Sequence, residues 1–289
     1  MIATYNRCAD LKECLTSIFA LNTPPYEVIV VDSDSKDGTA MMQDLFPLQF
    51  ISISERNRER ARNIGISATR GDIVAFLDDD VVVSSDWLSQ ITKPYSCDDV
   101  GGVGGRVIPY GTRDETCMRL SRSEVGRVFK SGLVIGNFDT LLKDPVEVDS
   151  LIGCNMSFRK ELLLRIHGFD ENYTGTGYRD DTDVCMQIRK LGYRLVYHPN
   201  ALVFHKFRGK EVDSKWAYWY VRNHTYFYFK NLFSGSEAGF PQFVYRMLFP
   251  PRYYVMKSGI KIKIEPTLLL SVFKGLFDGY RTWERTCKD

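Results

Sequence analysis

The strongest constraint on this chain lies in its first eighty residues, where short apolar runs alternate with helical patterns and two of the runs end in carboxylates. Leu11, Cys14, Leu15, Ile18 and Leu21 recur at helical spacing until Pro24-Pro25 breaks the pattern. Glu27 to Val31 then reads as a buried strand that stops at Asp32, Asp37-Gly38 signals a turn, and Thr39 can cap a helical stretch through Leu45. Gln49 to Ile53 is a further strand run, Arg56 to Thr69 a charged helix stopped by Gly71, and Ile73 to Leu77 breaks into Asp78-Asp79-Asp80. Alternation at these lengths predicts an α/β, doubly wound and mainly parallel sheet flanked by helices. Met1-Ile2-Ala3 reads as the tail of the first strand, which is either unusually short or begins upstream of Met1.

Downstream, Ser84 or Ser85 can cap a short helix from Trp87 to Ile91, and Val100 to Ile108 reads as a glycine-interrupted strand. Those glycines precede β-branched residues instead of opening a helix, which argues against a dinucleotide fingerprint. Residues 110 to 150 are polar and poorly periodic, as loops over a cleft would be. Regularity returns at Gly153 to Arg159, followed by helices over Lys160 to Ile166 and Asp180 to Leu191, the latter ended by Gly192. Two short strands follow, Arg194 to Tyr197 and Ala201 to Phe204, the second terminating at His205. From about Gly209 the chain changes character, with eight aromatics between Trp216 and Phe229.

A chain of 289 residues can bury roughly three quarters of its unfolded surface, so it needs no structural staple, and a metal here would serve chemistry. A net charge of +2 gives no electrostatic reason to expect a nucleic-acid partner. The seven cysteines are odd in number, scattered and never spaced Cys-x-x-Cys, as reduced cytosolic thiols would be. No leader-like segment or membrane-length apolar run is visible, so the expected location is the cytoplasm.

Ligands of open α/β sheets bind beyond the carboxyl ends of the strands, where Asp32, Asp34, Asp37 and Asp78 to Asp80 fall. A single aspartate there is more often a cap or turn residue. Three consecutive acids repel one another unless a cation neutralises them, and carboxylates suit Mg²⁺ or Mn²⁺ with part of the shell left to phosphates. Asp78 and Asp80, two apart on an extended strand, share a face and form the expected metal site. Such a site implies group transfer from a nucleotide-activated donor.

Six ordered motifs, Thr4-Tyr5-Asn6-Arg7, Asp32-Ser33-Asp34-Ser35-Lys36-Asp37-Gly38-Thr39, Ala61-Arg62-Asn63-Ile64-Gly65, Phe76-Leu77-Asp78-Asp79-Asp80, Gly168-Phe169-Asp170-Glu171 and Arg179-Asp180-Asp181-Thr182-Asp183, resemble those of family 2 inverting glycosyltransferases with the GT-A fold, over about residues 2 to 207. The resemblance implies a GT-A, Rossmann-like domain whose donor-binding half is residues 1–105 and whose acceptor-binding and catalytic half is 106–207, followed by a helical extension, 208–289. It implies that Asp32 contacts the nucleotide base, typically uracil, and that Thr4, Tyr5, Arg7, Asp34, Arg62, Asp79 and Asn155 also line the substrate site. Asp78, Asp80 and, as a third ligand, His205 would hold Mg²⁺ or Mn²⁺. Asp181 would be the general base; Asp180 stands where the family has glutamate, so either is a candidate.

The residues alone leave other readings open. Asp180, Asp181 and Asp183 could simply occupy a first helical turn, where backbone N–H groups favour anions and keep them ionised at pH 7. A lone histidine at His205 is more often a satisfied buried side chain, and His167, His198 and His224 have no functional context. A sugar nucleotidyltransferase would need a Gly-x-Gly-Thr-Arg loop where Thr4-Tyr5-Asn6-Arg7 stands; an inactive sugar-nucleotide-binding scaffold would be expected to lose its acids first. The resemblance implies a glycan or lipid-linked acceptor. The aromatic segment, with Arg246, Arg252, Lys257, Lys261 and Lys263 beyond it, either packs on the catalytic domain or makes peripheral contact with the inner face of the membrane.

Overall fold

The structure, a computed structural model, describes residues 1–111, 124–206, 213–233, 239–248 and 266–287. The basic positions Arg252, Lys257, Lys261 and Lys263 lie outside them. The chain forms two compact units: Met1–Arg127, Ile135–Asp170 and Val184–Phe207 make one, and Val128–Val134, Glu171–Asp183 and Arg208–Asp289 the other. Residues 105 and 106 thus share a unit, and 171–183 group with the C-terminal region.

In the first unit, β1 (Ile2–Thr4), β2 (Ile29–Asp32), β3 (Gln49–Ser52) and β4 (Ile73–Asp78) alternate with α1 (Cys8–Phe19), the single turn α2 (Met42–Leu45) and α3 (Arg58–Ala68). Then come β5 (Val81–Val83), α4 (Trp87–Thr92), β6 (Val100–Pro109), β9 (Val146–Val148), β10 (Asn155–Arg159), α5 (Lys160–Arg165) and β11 (Arg194–His205), while the small pair β7 (Arg127–Val128) and β8 (Val134–Ile135) and the helix α6 (Asp180–Lys190) each have residues in both units. The sheet order is β3-β2-β1-β4-β10-β6-β11-β5, with β9 also on β11. The first four strands are parallel, as helical crossovers require. β10 inserts antiparallel between β4 and β6, and β5 and β9 run antiparallel to β11, so the sheet as a whole is mixed.

Alternation along β4 shows how the sheet is covered. Leu77 packs with Leu11, Leu15 and Ile18 of α1 and with Trp87 and Ile91 of α4, while Val74 and Phe76 pack with Phe158, Leu162, Phe169 and Ile188 in a second cluster. The two strands expected around residue 200 are a single β11, irregular between His198 and Val203, where Pro199 lacks the N–H that a regular ladder needs. Gly105 allows β6 and β11 to meet: a Cβ there would lie 1.8 Å from the Ala201 carbonyl oxygen. Two caps differ from expectation. Asp86, not Ser84 or Ser85, precedes α4, and Thr39 donates to Asp37 instead of capping.

The second unit is helical: α7 (Ser214–Asn231), α8 (Phe240–Leu248) and α9 (Pro266–Cys287). The Asp213 carboxylate caps α7 by accepting from the Trp216 amide at 2.6 Å. Tyr228 stacks on Phe243 of α8 at 4.1 Å. Gly275 and Gly279 bring α9 close to α7, since a Cβ on either would meet the Tyr218 or Arg222 carbonyl at 2.8 or 2.4 Å. Among the described residues no helix is long and apolar enough to cross a membrane.

Candidate active site

β1, β2 and β4 end together at Thr4, Asp32 and Asp78, and the loops that leave them are stitched to one another. The Asn6 amide donates to Ser35 Oγ at 2.7 Å, the Lys36 amide to Asn6 Oδ1 at 2.7 Å, and the Cys8 amide to Asp37 at 2.9 Å. Asn6 and Asp34 adopt φ of 49° and 64°, a left-handed conformation that Asn and Asp tolerate better than most residues. Asp32 is buried and accepts from the Ser35 amide at 3.1 Å and from its hydroxyl. Asp34 faces outward, paired with Lys36. Tyr5 stacks beneath the Arg56 guanidinium at 4.1 Å.

The acid triplet divides three ways. Asp78 is the most exposed, with 34% of its side chain accessible, 3.6 Å from Arg62 Nη2 and 4.0 Å from His205 Nε2. Arg62 is buried against the Phe169 ring, 5.0 Å from its centre. Asp79 points inward and accepts from Thr4 Oγ1 at 2.7 Å; burial pushes its carboxyl up to about 7 against the opposing pull of Thr4 and Arg7. Asp80 lies 2.7 Å from Arg7 Nη1 and 3.1 Å from His205 Nε2; burial works against its ionisation, but His205 and Arg7 together hold it below the usual carboxylate range. The Lys206 amide donates to the Asp80 carbonyl at 3.0 Å and its ammonium to Asp10 at 3.2 Å.

Three residues expected to line the substrate site are internal instead. The Thr4 hydroxyl and the Asp79 carboxylate are turned into a bond with each other. Asn155 is fully buried: its amide donates to the Arg106 and Ala201 carbonyls at 3.1 and 2.8 Å and accepts from Trp87 Nε1 at 2.9 Å, so it ties β10, β6, β11 and α4 together.

Asp78 and His205 converge as expected, joined by a residue the sequence did not suggest. A carboxylate oxygen of Asp78, a ring nitrogen of His205 and the Cys154 sulfur lie within 4.8 Å of one another, a donor set able to hold a divalent cation. Asp80 reaches this group through His205, with one oxygen committed to Arg7. Cys154 escaped notice because an apolar run does not disclose strand direction. Asn155 pairs with Leu77 in the antiparallel register, so the residue before it lies across from Asp78.

In the second unit, Asp183 is buried and accepts from Lys230 Nζ at 2.8 Å and Asn231 Nδ2 at 2.6 Å, a structural pairing. Asp180 is buried, whereas Asp181 is partly exposed and accepts from its neighbour Thr182 through N at 2.6 Å and Oγ1 at 3.2 Å. Arg179, with φ of 79°, holds the turn into α6 in a conformation that costs about 1–3 kcal/mol for a non-glycine residue. His224 bonds the Gly132 carbonyl at 2.8 Å, and burial, with help from Arg179, holds its ring well below the usual histidine range.

A family model described as glycosyl transferase family 2 matches residues 1–166, and one described as the N-terminal domain of galactosyltransferase matches 139–208. The glucosyl-dolichyl phosphate glucuronosyltransferase of Haloferax volcanii is 26% identical over 232 residues, 75% of this chain and 71% of that protein. Across three relatives the matched stretch takes in 71%, 38% and 64% of their length. Among solved structures, the mannosyltransferase PcManGT from Pyrobaculum calidifontis in complex with GDP-Man and Mn²⁺ superposes with a TM-score of 0.57 at 20% identity, covering 98% of this chain and 73% of that one. S. aureus TarS 1-349 in complex with UDP gives 0.60 at 15% identity, covering 99% and 89%. These likenesses show a GT-A fold.

Proposed function

The chain belongs to glycosyl transferase family 2, whose model matches 1–166 of its 289 residues, and from that premise we propose that this glycosyltransferase moves a sugar from a nucleoside-diphosphate sugar, UDP-sugars first, to a hydroxyl of a glycan or lipid-linked acceptor, with inversion. The observation that carries the proposal is the meeting of Asp78, Asp80, His205, Arg7 and Arg62 at the carboxyl ends of β1 and β4. Likeness to proteins solved with GDP-Man and Mn²⁺ or with UDP supports the donor class.

Asp78 and His205, with Cys154 beside them and Asp80 adjoining, would hold Mg²⁺ or Mn²⁺, which when bound neutralises charge on the departing diphosphate. The chain's own groups do the rest. Arg62, buried against Phe169, and Arg7, braced between Asp80 and Asp10, supply fixed positive charge that needs no reorganisation as the donor bond breaks. Asp181 takes the proton of the acceptor hydroxyl while that oxygen attacks the anomeric carbon and the bond to the diphosphate breaks on the opposite face. Its place in the first turn of α6 favours the ionised form that a base requires. Asp180 is the second candidate for this role, and its burial makes it the less accessible of the two.

Peripheral contact with the inner membrane face from the cytoplasm is supported by α9, whose Leu269, Leu270, Phe273 and Phe277 are exposed beside Lys274 and Arg281.

The test is thermal unfolding of the purified chain with UDP, GDP, CDP or TDP, with and without Mn²⁺. One diphosphate at a hundred times its Kd should add about 2.7 kcal/mol in a metal-dependent way. The shift should disappear in Asp78→Ala. No shift with any diphosphate would refute the donor site.

A further inference from the structure

Of the six described cysteines, Cys14 and Cys154 reach the acid triplet, and they do so differently. Cys14 donates its thiol to the Asp78 backbone carbonyl at 3.6 Å, and burial pushes that thiol far above its ordinary range. Cys154 instead presents its sulfur to the Asp78 carboxylate and the His205 ring, all within 4.8 Å. Donors around one ion at bond lengths of about 2.0–2.3 Å sit roughly 3–4 Å apart, so small side-chain movements would complete the shell.

We infer that Cys154 is a sulfur ligand of the cation held by Asp78 and His205, and that it makes the site prefer Co²⁺, Zn²⁺ or Cd²⁺ over Mg²⁺. The inference rests on the reading that Asp78 and His205 bind a cation. Thiolates select softer ions, whereas carboxylates and water suit Mg²⁺ and Mn²⁺; one sulfur and one imidazole beside one carboxylate is an intermediate set. On binding, the thiol releases its proton to solvent, a sulfur–metal bond forms, and no oxidation state changes. The register supports this assignment: β10 is pinned to β4 by five residue pairs from Asn155↔Leu77 to Arg159↔Ile73, which fixes where the preceding residue starts the strand.

The experiment titrates the full chain with Co²⁺ and follows the near-ultraviolet sulfur-to-cobalt charge-transfer band, in the wild type, Cys154→Ser and Cys14→Ala. Free Mn²⁺ is counted in parallel by electron paramagnetic resonance. The expected result is a band that saturates at one equivalent in the wild type and Cys14→Ala and is absent in Cys154→Ser. In the serine variant Co²⁺ affinity should fall by at least about tenfold, the scale on which altering a metal site acts, while Mn²⁺ affinity changes by less than about threefold. ¹¹³Cd resonance of the wild type, shifted downfield by a sulfur ligand, gives the same answer if the serine variant fails to fold. Co²⁺ bound with no charge-transfer band, with a cadmium resonance in the oxygen–nitrogen range, overturns the role of Cys154 and leaves the cation site standing. Failure of the wild type to bind Co²⁺, Mn²⁺ or Mg²⁺ overturns the cation reading and the inference together.

Discussion

Replacing Asn155 with alanine separates an architectural role from a substrate-binding one. The amide makes three buried hydrogen bonds, and its removal takes the Asn155 partner from the Trp87 N–H and from the Arg106 and Ala201 carbonyls. Each lost bond costs about 1–2 kcal/mol, so the sum is about 3–6 kcal/mol. That is a large part of the 5–15 kcal/mol by which a domain is usually stable. At about 2–4 °C per kcal/mol the melting temperature should drop by roughly 6–24 °C. Circular dichroism during thermal and urea unfolding of wild type and Asn155→Ala measures it, with the urea slope expected to stay unchanged. Asn155→Asp should fare no better, because a carboxylate would face two carbonyl oxygens. An Asn155→Ala protein that melts with the wild type while its donor KM rises would refute this reasoning and return Asn155 to the substrate site.

Asp181→Asn should lower kcat by about 10²–10⁴ with donor binding and melting temperature intact, whereas Asp183→Ala, by removing the buried carboxylate to which Lys230 and Asn231 donate, should lower the melting temperature; steady-state kinetics beside calorimetry distinguish them. Gly105→Ala forces a Cβ to 1.8 Å from a carbonyl oxygen and should abolish soluble expression or cost several kcal/mol, which a solubility assay reads directly. The Asp79 carboxyl titrates at about 7 in the fold against 3.8 ordinarily, so the folded state holds the extra proton between those values. Stability of the chelator-treated protein should therefore fall as pH rises from about 4 to about 7, and Asp79→Asn should flatten that slope in urea titrations at stepped pH.

What the sequence disclosed follows from which signals are local. β2, β4, α1, α3 and α6 were legible because each carries its own period and ends at a turn residue or carboxylate, and the meeting of Asp78 with His205 was implied by the family resemblance. Non-local pairing was not legible. Nothing within Asn155–Arg159 says that β10 runs antiparallel to β4, and that direction is what brings Cys154 to Asp78. Thr4 and Asn155 are polar residues at strand ends, where polarity reads as function; their inward bonds depend on Asp79 and Trp87, about seventy residues away in the chain. β7, β8 and β9 are two or three residues long, too short to leave a period in the loop-like stretch where they lie.

The irregularity in β11 makes the position of His205 a matter of parity. Between the pairs His198↔Gly105 and Val203↔Val107, β6 advances two residues while β11 advances five, so the strand changes which set of alternate side chains it presents before it reaches the histidine. His205 then pairs with Val81 and Pro109, and its ring is delivered to Asp78 and Asp80 only because that excess is an odd number. If loss of Asn200, the one exposed residue of the irregular stretch, were taken up by a one-residue slip of Val203–His205 along β5 and β6, the faces of Phe204 and His205 would exchange, removing an imidazole from the acids without altering any residue that touches them. Chain length between Tyr197 and His205 is therefore under the same restraint as the histidine itself.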